Sequence, residues 1–599
     1  MCTNGLEKYD TVVIGSGVGG LTCAALLAML KKRVLLLERN DPSRTAFTQR
    51  VVDEGSISEV PMAVDIGGCM QTITYKEWGW NLGLQYQAPF SCYLGPIYLK
   101  EADIIPLITD PPVRLKPLAE DYQKLRLPDL DSGDTATELD IWSDGTKMRD
   151  YLLEKYPSQS AGIRKYWEYI ELTDRYTYPI MVTKLLPRTA ARFFFPLITK
   201  KIAPLIDVNY DKILEELFDD SAEGKAVKTV LNGYWNVLGM PVDTNFLFWT
   251  MSDNQLFHGI LAPEGGSKAL VDGLLGTFRK YGGEMRTGDA GTVANVTVDG
   301  LLCKKVTGVT LADGTHIAAN SVISTAGLPE TIGPTGSKSP VPPPLVSDKW
   351  VARSVRKSVK EHISIPSSLI LRIGLDLTWD ELQQTGVVQK KTYRTMTGKP
   401  WEFPADPCKE GWQPDDIMVI FPRFYEGGPG DSSLQTVEVV HITDYQKYFS
   451  TFTGLDDPRF KEAEQRIIDT LHAHFTKTFP ALAPHVKCML LTSPLTLTEQ
   501  IHHRENSMYG IDAYRTIDPV VQSRTGLKGL YLSGEDSFVN GVTIATGVIS
   551  AAALFIDEIL DEIPKQVGRT VLALPTLLTR FIFGDPRLKL PESIRRRLT

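Results

Sequence analysis

Thr11-Val12-Val13-Ile14-Gly15-Ser16-Gly17-Val18-Gly19-Gly20-Leu21 lies in a stretch, Tyr9 to Arg39, that reads as strand, turn, helix and second strand. Thr11–Ile14 is a β-branched run suited to a strand. Leu21 to Lys31 has helix-forming composition, and Val34-Leu35-Leu36-Leu37 is a second buried strand ended by Glu38. In that setting each glycine has a separate task. Gly15 permits the tight turn, Gly17 lets a pyrophosphate approach the backbone, and Gly20 allows close helix–strand packing. Phosphates then lie at the helix N-terminus, where unpaired N–H groups and the dipole favour anions. Glu38 stands 18 residues after Gly20, at a strand end from which a carboxylate can accept hydrogen bonds from both ribose hydroxyls. A lone glycine motif is weak. Two strands, a helix and the acid together point to dinucleotide binding, against the blander reading of an ordinary strand–turn–helix.

Which dinucleotide is bound depends on the far end of the chain. Gly529-Leu530-Tyr531-Leu532-Ser533-Gly534-Glu535-Asp536 reads as a strand ending in glycine and acids. Gly541-Val542-Thr543-Ile544-Ala545-Thr546-Gly547-Val548 and a small-residue, apolar helix to about Leu560 follow it. An acid placed there can meet a ribityl hydroxyl or a pyrophosphate-linked group. The next helix would aim its N-terminal dipole at a flavin ring and stabilise negative charge on the reduced form. A site for NAD alone does not need this second element, so the reading is FAD. No second G-x-G-x-x-G unit follows a strand. Electrons would therefore come from or go to a separate donor or acceptor, or return to the same flavin.

Composition narrows the class. With 43% hydrophobic and 23% charged residues in 599, the chain can bury a large core and offset its ordering entropy. A net charge of −8 argues against a general nucleic-acid binder. Seven dispersed cysteines without a C-x-x-C pair suggest neither a zinc site nor a disulfide framework. His472 and His474, two apart in a helical stretch, fall on different faces, so no metal site is expected. Neither G-x-S-x-G nor H-E-x-x-H occurs. The start of the chain lacks a basic region followed by an apolar one, which reads as not secreted. No run of about 18 apolar residues is present, so no spanning helix is expected.

These blocks resemble the phytoene desaturase, carotenoid isomerase and all-trans-retinol saturase group of FAD-dependent oxidoreductases, within the amine-oxidase-like fold. The resemblance rests first on the opening motif through Glu38-Arg39. It continues at Gly67-Gly68-Cys69-Met70-Gln71-Thr72 with Trp78 to Tyr86, then at Pro263-Glu264-Gly265-Gly266-Ser267-Lys268-Ala269-Leu270 with Val293 to Gly327. It ends at Ser507-Met508-Tyr509-Gly510 and the Gly534-Glu535-Asp536 block, so the motifs span residues 9 to 560 in the family's order. It implies that Gly15, Gly17, Gly20, Glu38 and Arg39 hold the adenosine and pyrophosphate half. Gly67 and Gly68 would pass close to the flavin, and Val293 would pair its backbone with the adenine. Gly534, Glu535, Asp536, Gly541 and Val542 would contact the ribityl–isoalloxazine half. Two departures stand out. The family usually has its double glycine a few residues after the acid and base, whereas Asn40 to Ile66 intervene here; this insertion reads as a surface loop or an added partner site. Asn81 also stands where an Asp is common.

Independently of the resemblance, Gly308 to Ile317 alternates around Asp313-Gly314, a hairpin signature. Asn320 to Gly327 reads as a buried strand returning to the dinucleotide layer. As catalytic candidates we single out Tyr86, His502 and Tyr509, positioned in the segments leading to the flavin blocks, where a proton donor could face substrate. The bland alternatives are a core aromatic for Tyr86 and solvated polar residues for the His502-His503-Arg504-Glu505 run.

Between Arg175 and Ile206 lie six Lys or Arg residues and no acid, interleaved with aromatic and aliphatic residues that include Phe193, Phe194 and Phe195. Such a segment suits an anionic bilayer surface, and a core helical hairpin with solvated cations is the alternative. Residues 565–583 form a second apolar stretch, too short and too Pro-interrupted to span, and Arg595-Arg596-Arg597 follows it. Residues 175–206 carry +6 and residues 561–599 carry +4, leaving −18 for the body. A substrate resident in the bilayer would explain both basic, apolar segments, because a long apolar molecule could pass into the protein without crossing water.

The expected architecture is α/β: a discontinuous Rossmann-type FAD-binding domain (1–86, 262–345 and 495–560), amine-oxidase/phytoene-desaturase-like, with a discontinuous α+β substrate domain (87–261 and 346–494). An amphipathic tail (561–599) completes it. The expected function is an FAD-dependent oxidoreductase, peripheral on a cytoplasmic or organellar membrane face, saturating, desaturating or isomerising carbon–carbon double bonds of a long polyene lipid. A flavin amine oxidase, and a non-enzymatic prenyl-lipid carrier of the Rab GDP-dissociation-inhibitor type, are the alternatives.

Overall fold

The computed structural model describes residues 8–39, 48–53, 56–61, 91–94, 97–117, 123–128, 135–142, 144–206, 208–235, 244–247, 249–250, 261–264, 266–300, 304–333, 343–347, 350, 366–388, 392–396, 405–414, 416–421, 435–496, 522–534 and 543–562. β1 (Lys8–Ile14), α1 (Val18–Met29) and β2 (Val34–Glu38) are the expected opening unit. The helix starts earlier than Leu21 because Val18, Gly19 and Gly20 already form its first turn. It stops at Met29, two residues before Lys31 takes a left-handed conformation (φ 60°).

Further along are β3 (Gln123–Pro128), β4 (Thr135–Ile141), α2 (Gly145–Lys155), α3 (Ser160–Leu185), α4 (Arg188–Thr199), α5 (Tyr210–Leu217), α6 (Ala222–Trp235) and α7 (Gly266–Lys280). Next come β5 (Glu284–Thr287), β6 (Val293–Asp299), β7 (Lys305–Leu311), β8 (His316–Ser324) and α8 (Leu328–Ile332). The series continues through β9 (Pro366–Leu375), β10 (Thr392–Met396), β11 (Asp416–Ile420), β12 (Gln435–Asp444), α9 (Pro458–Thr478), β13 (Val486–Thr492), β14 (Leu530–Leu532) and α10 (Thr543–Glu562).

The first sheet has the order β5-β2-β1-β8-β7-β6, with β14 also against β8. β5, β2, β1, β8 and β14 are parallel, and β6 and β7 join antiparallel. The Asp313-Gly314 hairpin forms as expected. Its second strand and the returning strand are one continuous element, β8, whose early residues pair with β7 and whose later ones pair with β14. Alternation along β1 and β2 sends Val13 and Leu36 into one cluster with α1, α7 and α10. Val12, Ile14, Leu35 and Leu37 go into another with β6, β7 and α8. Both faces are therefore covered, which is why Val34–Leu37 is a continuous apolar run. Ten of the twelve α1 residues are buried. Its small side chains let it lie between α7 and α10.

The second sheet has the order β13-β9-β12-β11-β10-β3-β4, antiparallel except between β10 and β3. One face sends Ile370, Met418, Ile420 and Val440 into a cluster with α2, α3, α5 and α6. There Tyr210 stacks on Trp249 at 4.0 Å, and the Tyr166 and Tyr210 hydroxyls are 2.9 Å apart. The other face sends Leu369, Leu371, Ile373 and Leu375 against Phe460, Ile467, Leu471 and Phe475 of α9.

The insertion after Arg39 differs from a plain surface loop. Thr48–Asp53 and Ser56–Pro61 pair as an antiparallel hairpin, and its first strand lies beside β13 of the second sheet. Among the described residues no helix is long and apolar enough to cross a membrane.

Candidate functional site

Parallel strands β1 and β8 end side by side, and the chain leaving each builds the site. Gly15 turns with φ 91°, and its N–H donates to the Leu37 carbonyl at 2.8 Å. A Cβ on Gly15 would fall 2.4 Å from Thr325 Oγ1. Thr325, just beyond β8, is tied to the turn: its N–H donates to Ile14 O at 2.8 Å, and Oγ1 lies 2.9 and 3.0 Å from the Ile14 and Gly15 carbonyls. Gly17 caps α1, and its carbonyl accepts the Leu21 N–H at 2.9 Å. A Cβ on Gly20 would sit 2.3 Å from the Gly15 carbonyl, so the expected close approach of helix to turn is present.

Glu38 is buried at the end of β2, and its Oε2 accepts both the Ser16 N–H at 2.9 Å and the Ser16 hydroxyl at 2.7 Å. The acid therefore holds the glycine turn in shape as well as standing at its rim, a second role the motif alone does not announce. Thr287 of β5 lies in register with Glu38, and a Cβ on Gly291 would meet the Glu38 carbonyl at 2.3 Å. This packing brings Val293, the first residue of β6, to the same edge of the sheet. Arg39 follows Glu38 at the exposed end of β2, with the carboxylates of Glu38 and Glu330 near enough to favour its charge.

The C-terminal strand joins this edge. Ser533 N donates to Ser324 O at 2.9 Å, and the Ser533 hydroxyl donates to Gly19 O at 3.3 Å across 514 residues of chain. A Cβ on Gly19 would come 3.1 Å from Gly534 N. Gly534 has φ 100° and open space around its Cα, so its requirement for glycine is conformational. Gly547 of α10 allows the last close approach: a Cβ there would meet Thr22 Cβ at 2.6 Å and Gly19 O at 2.7 Å. β14 and α10 are locked by Arg524, whose guanidinium grips Asp557 at 2.9 to 3.1 Å, and by Tyr531, whose hydroxyl donates to Asp557 at 2.8 Å. Burial, reinforced by the neighbouring Asp557, pushes the Tyr531 pKa well above its ordinary value, which keeps that hydroxyl a donor.

Of the residues expected from the sequence, Gly15, Gly17, Gly20, Glu38, Arg39, Val293 and Gly534 thus gather at one edge of the first sheet. Gly67, Gly68, Tyr86, His502, Tyr509, Glu535, Asp536, Gly541 and Val542 lie outside the described residues, as do Asn81 and residues 565–583. Ser16, Thr325, Ser533 and Gly547 were not singled out from the sequence. Ser16 and Gly547 stood in plain view inside glycine motifs, whereas Thr325 and Ser533 gain meaning only through partners hundreds of residues away. The arrangement offers an anion cradle at the α1 N-terminus, the Glu38 carboxylate at the end of β2 on one side of it and a glycine from the C-terminal block on its other side. It suits a nucleotide cofactor longer than a mononucleotide. Among the described residues no cluster of His, Cys, Asp and Glu could hold a metal. His472 and His474 do lie on a helix, α9, and burial lowers the pKa of His474 to about 4.

Residues 13–64 match the family model described as NAD(P)-binding Rossmann-like domain. Two zebrafish (Danio rerio) proteins, All-trans-retinol 13,14-reductase and Inactive all-trans-retinol 13,14-reductase, are 21% identical over 576 and 578 residues, 92% and 93% of this chain and 86% of each of theirs. Phytoene desaturase of Fusarium fujikuroi is 26% identical over 329 residues, 54% of this chain and 50% of its own. Among solved structures, an oxidoreductase from Methanosarcina mazei superposes with a TM-score of 0.51 at 16% identity, covering 92% of this chain and 100% of that one. The fold is a Rossmann-type α/β layer joined to a separate, largely antiparallel sheet.

Proposed function

We propose that this protein is an FAD-dependent oxidoreductase acting on carbon–carbon double bonds of a long polyene lipid. One observation carries the cofactor: the opening glycine turn and Gly534 meet at one sheet edge, so a single extended dinucleotide could touch both ends of the chain. In this reading the α1 N-terminus with Gly15, Gly17 and Gly20 receives the pyrophosphate, and Glu38 and Arg39 receive the adenosine. Val293 pairs with the adenine. Gly67, Gly68, Gly534, Glu535, Asp536, Gly541 and Val542 line the flavin half. Likeness along most of the chain to proteins named for retinol and phytoene supports the choice of substrate.

Bound FAD would supply hydride exchange at one carbon of the double bond. The protein's own contribution is to seat the lipid, exclude water and handle the proton at the neighbouring carbon, with Tyr86, His502 and Tyr509 as candidate donors or acceptors. Saturation, desaturation and isomerisation share these parts and differ in net redox.

The membrane reading belongs to the same proposal. α4 exposes Phe193 and Leu197, with Arg192, Lys200 and Lys201 also exposed, while Ala191 and Thr199 face inward. An apolar ridge flanked by cations suits an anionic bilayer from which the lipid would be drawn. Purified protein is expected to carry visible flavin absorbance. After anaerobic photoreduction, mixing with candidate polyenes should give a gain of two hydrogens, a loss of two, or an isomer of unchanged mass. Absence of flavin after reconstitution, or turnover of amines with peroxide release and no change in any polyene, would overturn the proposal.

A further inference from the structure

α4 rests on the rest of the protein by a narrow underside. Of its twelve residues Ala191 and Thr199 are buried, whereas α1, of the same length, buries ten. Both inward residues are small, so the apolar area that α4 removes from water against the body is small too. Phe195, partly buried, packs on a cluster separate from the larger ones: Ile180 of α3, Ile202 and Leu247 are sealed there, with Leu172, Tyr176 and Ile206 around them. A helix with so few buried apolar contacts opens locally more readily than the core helices do.

The outward side has more to gain. Phe193 and Leu197 are 67% and 60% exposed, Pro196 is exposed between them, and Arg192, Lys200 and Lys201 are exposed before and after this ridge. No acid lies between Arg175 and Ile206. An anionic bilayer offers the ridge an acyl boundary and the cations a headgroup layer, so the larger apolar area of α4 leaves water there.

α4 also stands where the two sheet layers meet. At its N-terminus Arg188 Nε donates to the Arg524 carbonyl at 3.1 Å, and Arg524 Nη2 donates to the Ala553 carbonyl of α10 at 3.0 Å. Along its length α4 packs on α3, whose other neighbours include both the second-sheet cluster and α10. The extended pair Leu186-Pro187 (ψ 152° and 142°) joins α3 to α4 and forms a joint at which α4 can swing with its own helical hydrogen bonds intact.

We propose that α4 is a membrane-opened lid over the way in for the lipid. On an anionic bilayer the Phe193–Leu197 ridge inserts, and Arg188 exchanges the Arg524 carbonyl for headgroup phosphate. The Ile180, Ile202 and Leu247 cluster is then uncovered to the acyl chains beside the seam between the layers. In water the cluster stays sealed, so the protein opens where its substrate is. This inference rests on the membrane and polyene readings above.

The test is the distance between spin labels at Thr189→Cys on α4 and Lys225→Cys on α6, both exposed positions, in the flavin-loaded full chain, with the unsubstituted protein labelled in parallel as background. In buffer, and with vesicles of phosphatidylcholine alone, one short distance is expected. With vesicles that also contain phosphatidylserine it should lengthen by about 5 Å or more, half of an interhelical spacing. R188M, which lacks the bond to Arg524, should take up all-trans-retinol from those vesicles about threefold to tenfold faster, the worth of one hydrogen bond. The label distance decides alone should R188M fail to fold. An unchanged distance in protein that floats with the vesicles, or uptake no faster in R188M, would overturn the lid and leave the membrane reading standing. Protein that does not float would overturn the membrane reading and this inference with it. Lengthening without any uptake of retinol would support the lid and overturn the polyene reading.

Discussion

At Gly20 a methyl group has nowhere to go. Its Cβ would lie 2.3 Å from the Gly15 carbonyl and 3.1 Å from Thr325 Cγ2 and Oγ1, and two of those neighbours are held by β1 and β8. Gly20→Ala should therefore push α1 away from the turn and yield protein with little bound flavin, read as the ratio of visible to ultraviolet absorbance; a normal ratio would show that the turn does not hold the cofactor. Ser16 offers a milder probe. Ser16→Ala removes the 2.7 Å hydroxyl bond to the Glu38 carboxylate but leaves the 2.9 Å backbone bond. A hydrogen bond to a charged group is worth about 1.5–3 kcal/mol, and part of that should appear as weaker flavin affinity in a reconstitution titration. At this scale the sequence was legible where spacing alone encodes function. Gly15, Gly17, Gly20 and Glu38 are recognisable because the turn, the helix start and the strand end are local. Thr325 and Ser533 are not, since their partners Ile14, Gly15 and Gly19 are brought to them only by β8 and β14 taking their places in the sheet.

Helices carry the next level of consequence. On α4, Phe193 and Leu197 are four residues apart and share a face, with 67% and 60% exposure. Inserting two such side chains at an acyl boundary is worth about 1.5–3 kcal/mol each, so Phe193→Ser with Leu197→Ser should lower partitioning onto phosphatidylserine-containing liposomes by more than about tenfold. Unchanged flotation would remove α4 from the membrane reading. The sequence marked residues 175–206 as basic and apolar. It could not say which apolar residues face outward, because Ile180 and Ile202 pack with Leu247 in a small core of their own. α9 gives a pH signature instead. Burial, followed by the charges of Lys477 and Arg126, lowers His474 to about 4 from its ordinary 6.5. The folded state therefore favours the neutral ring. The stability this provides is intact above pH 6.5 and declines as the pH falls toward 4, where the folded state also takes up the proton. His474→Leu should flatten the dependence of the urea midpoint on pH across that window, and an unaltered slope would place the titrating group elsewhere. The element types of the dinucleotide layer were legible because parallel strands buried on both faces leave continuous apolar runs. The insertion hairpin was not, since Thr48–Asp53 and Ser56–Pro61 carry no apolar alternation strong enough to announce a strand.

For the whole molecule, the first sheet is assembled from segments that begin at Lys8, Glu284 and Leu530, so its closure depends on contacts spanning nearly the full chain. Arg524 and Tyr531 gripping Asp557, and Lys32 paired with Glu558 at 2.7 Å, hold α10 to that assembly from the protein side. A dinucleotide lying across Gly17 and Gly534 would be one more link between the same segments, and binding linkage sets its size. A ligand present at 100 times its dissociation constant stabilises the folded state by about 2.7 kcal/mol. ADP can occupy only the α1 and Glu38 half of the proposed site, whereas FAD reaches both halves. At equal multiples of their dissociation constants the two ligands stabilise the protein equally if binding is simple. The difference therefore has to be sought in where protection appears. With ADP, hydrogen exchange should slow in Gly15–Leu27 and around β2. With FAD it should slow there and also across Ser533, Gly534 and the first turns of α10. Protection by FAD confined to the N-terminal segments would mean that the C-terminal block takes no part in binding the cofactor, and the flavin reading of that block would fall while the dinucleotide reading of the opening motif stood.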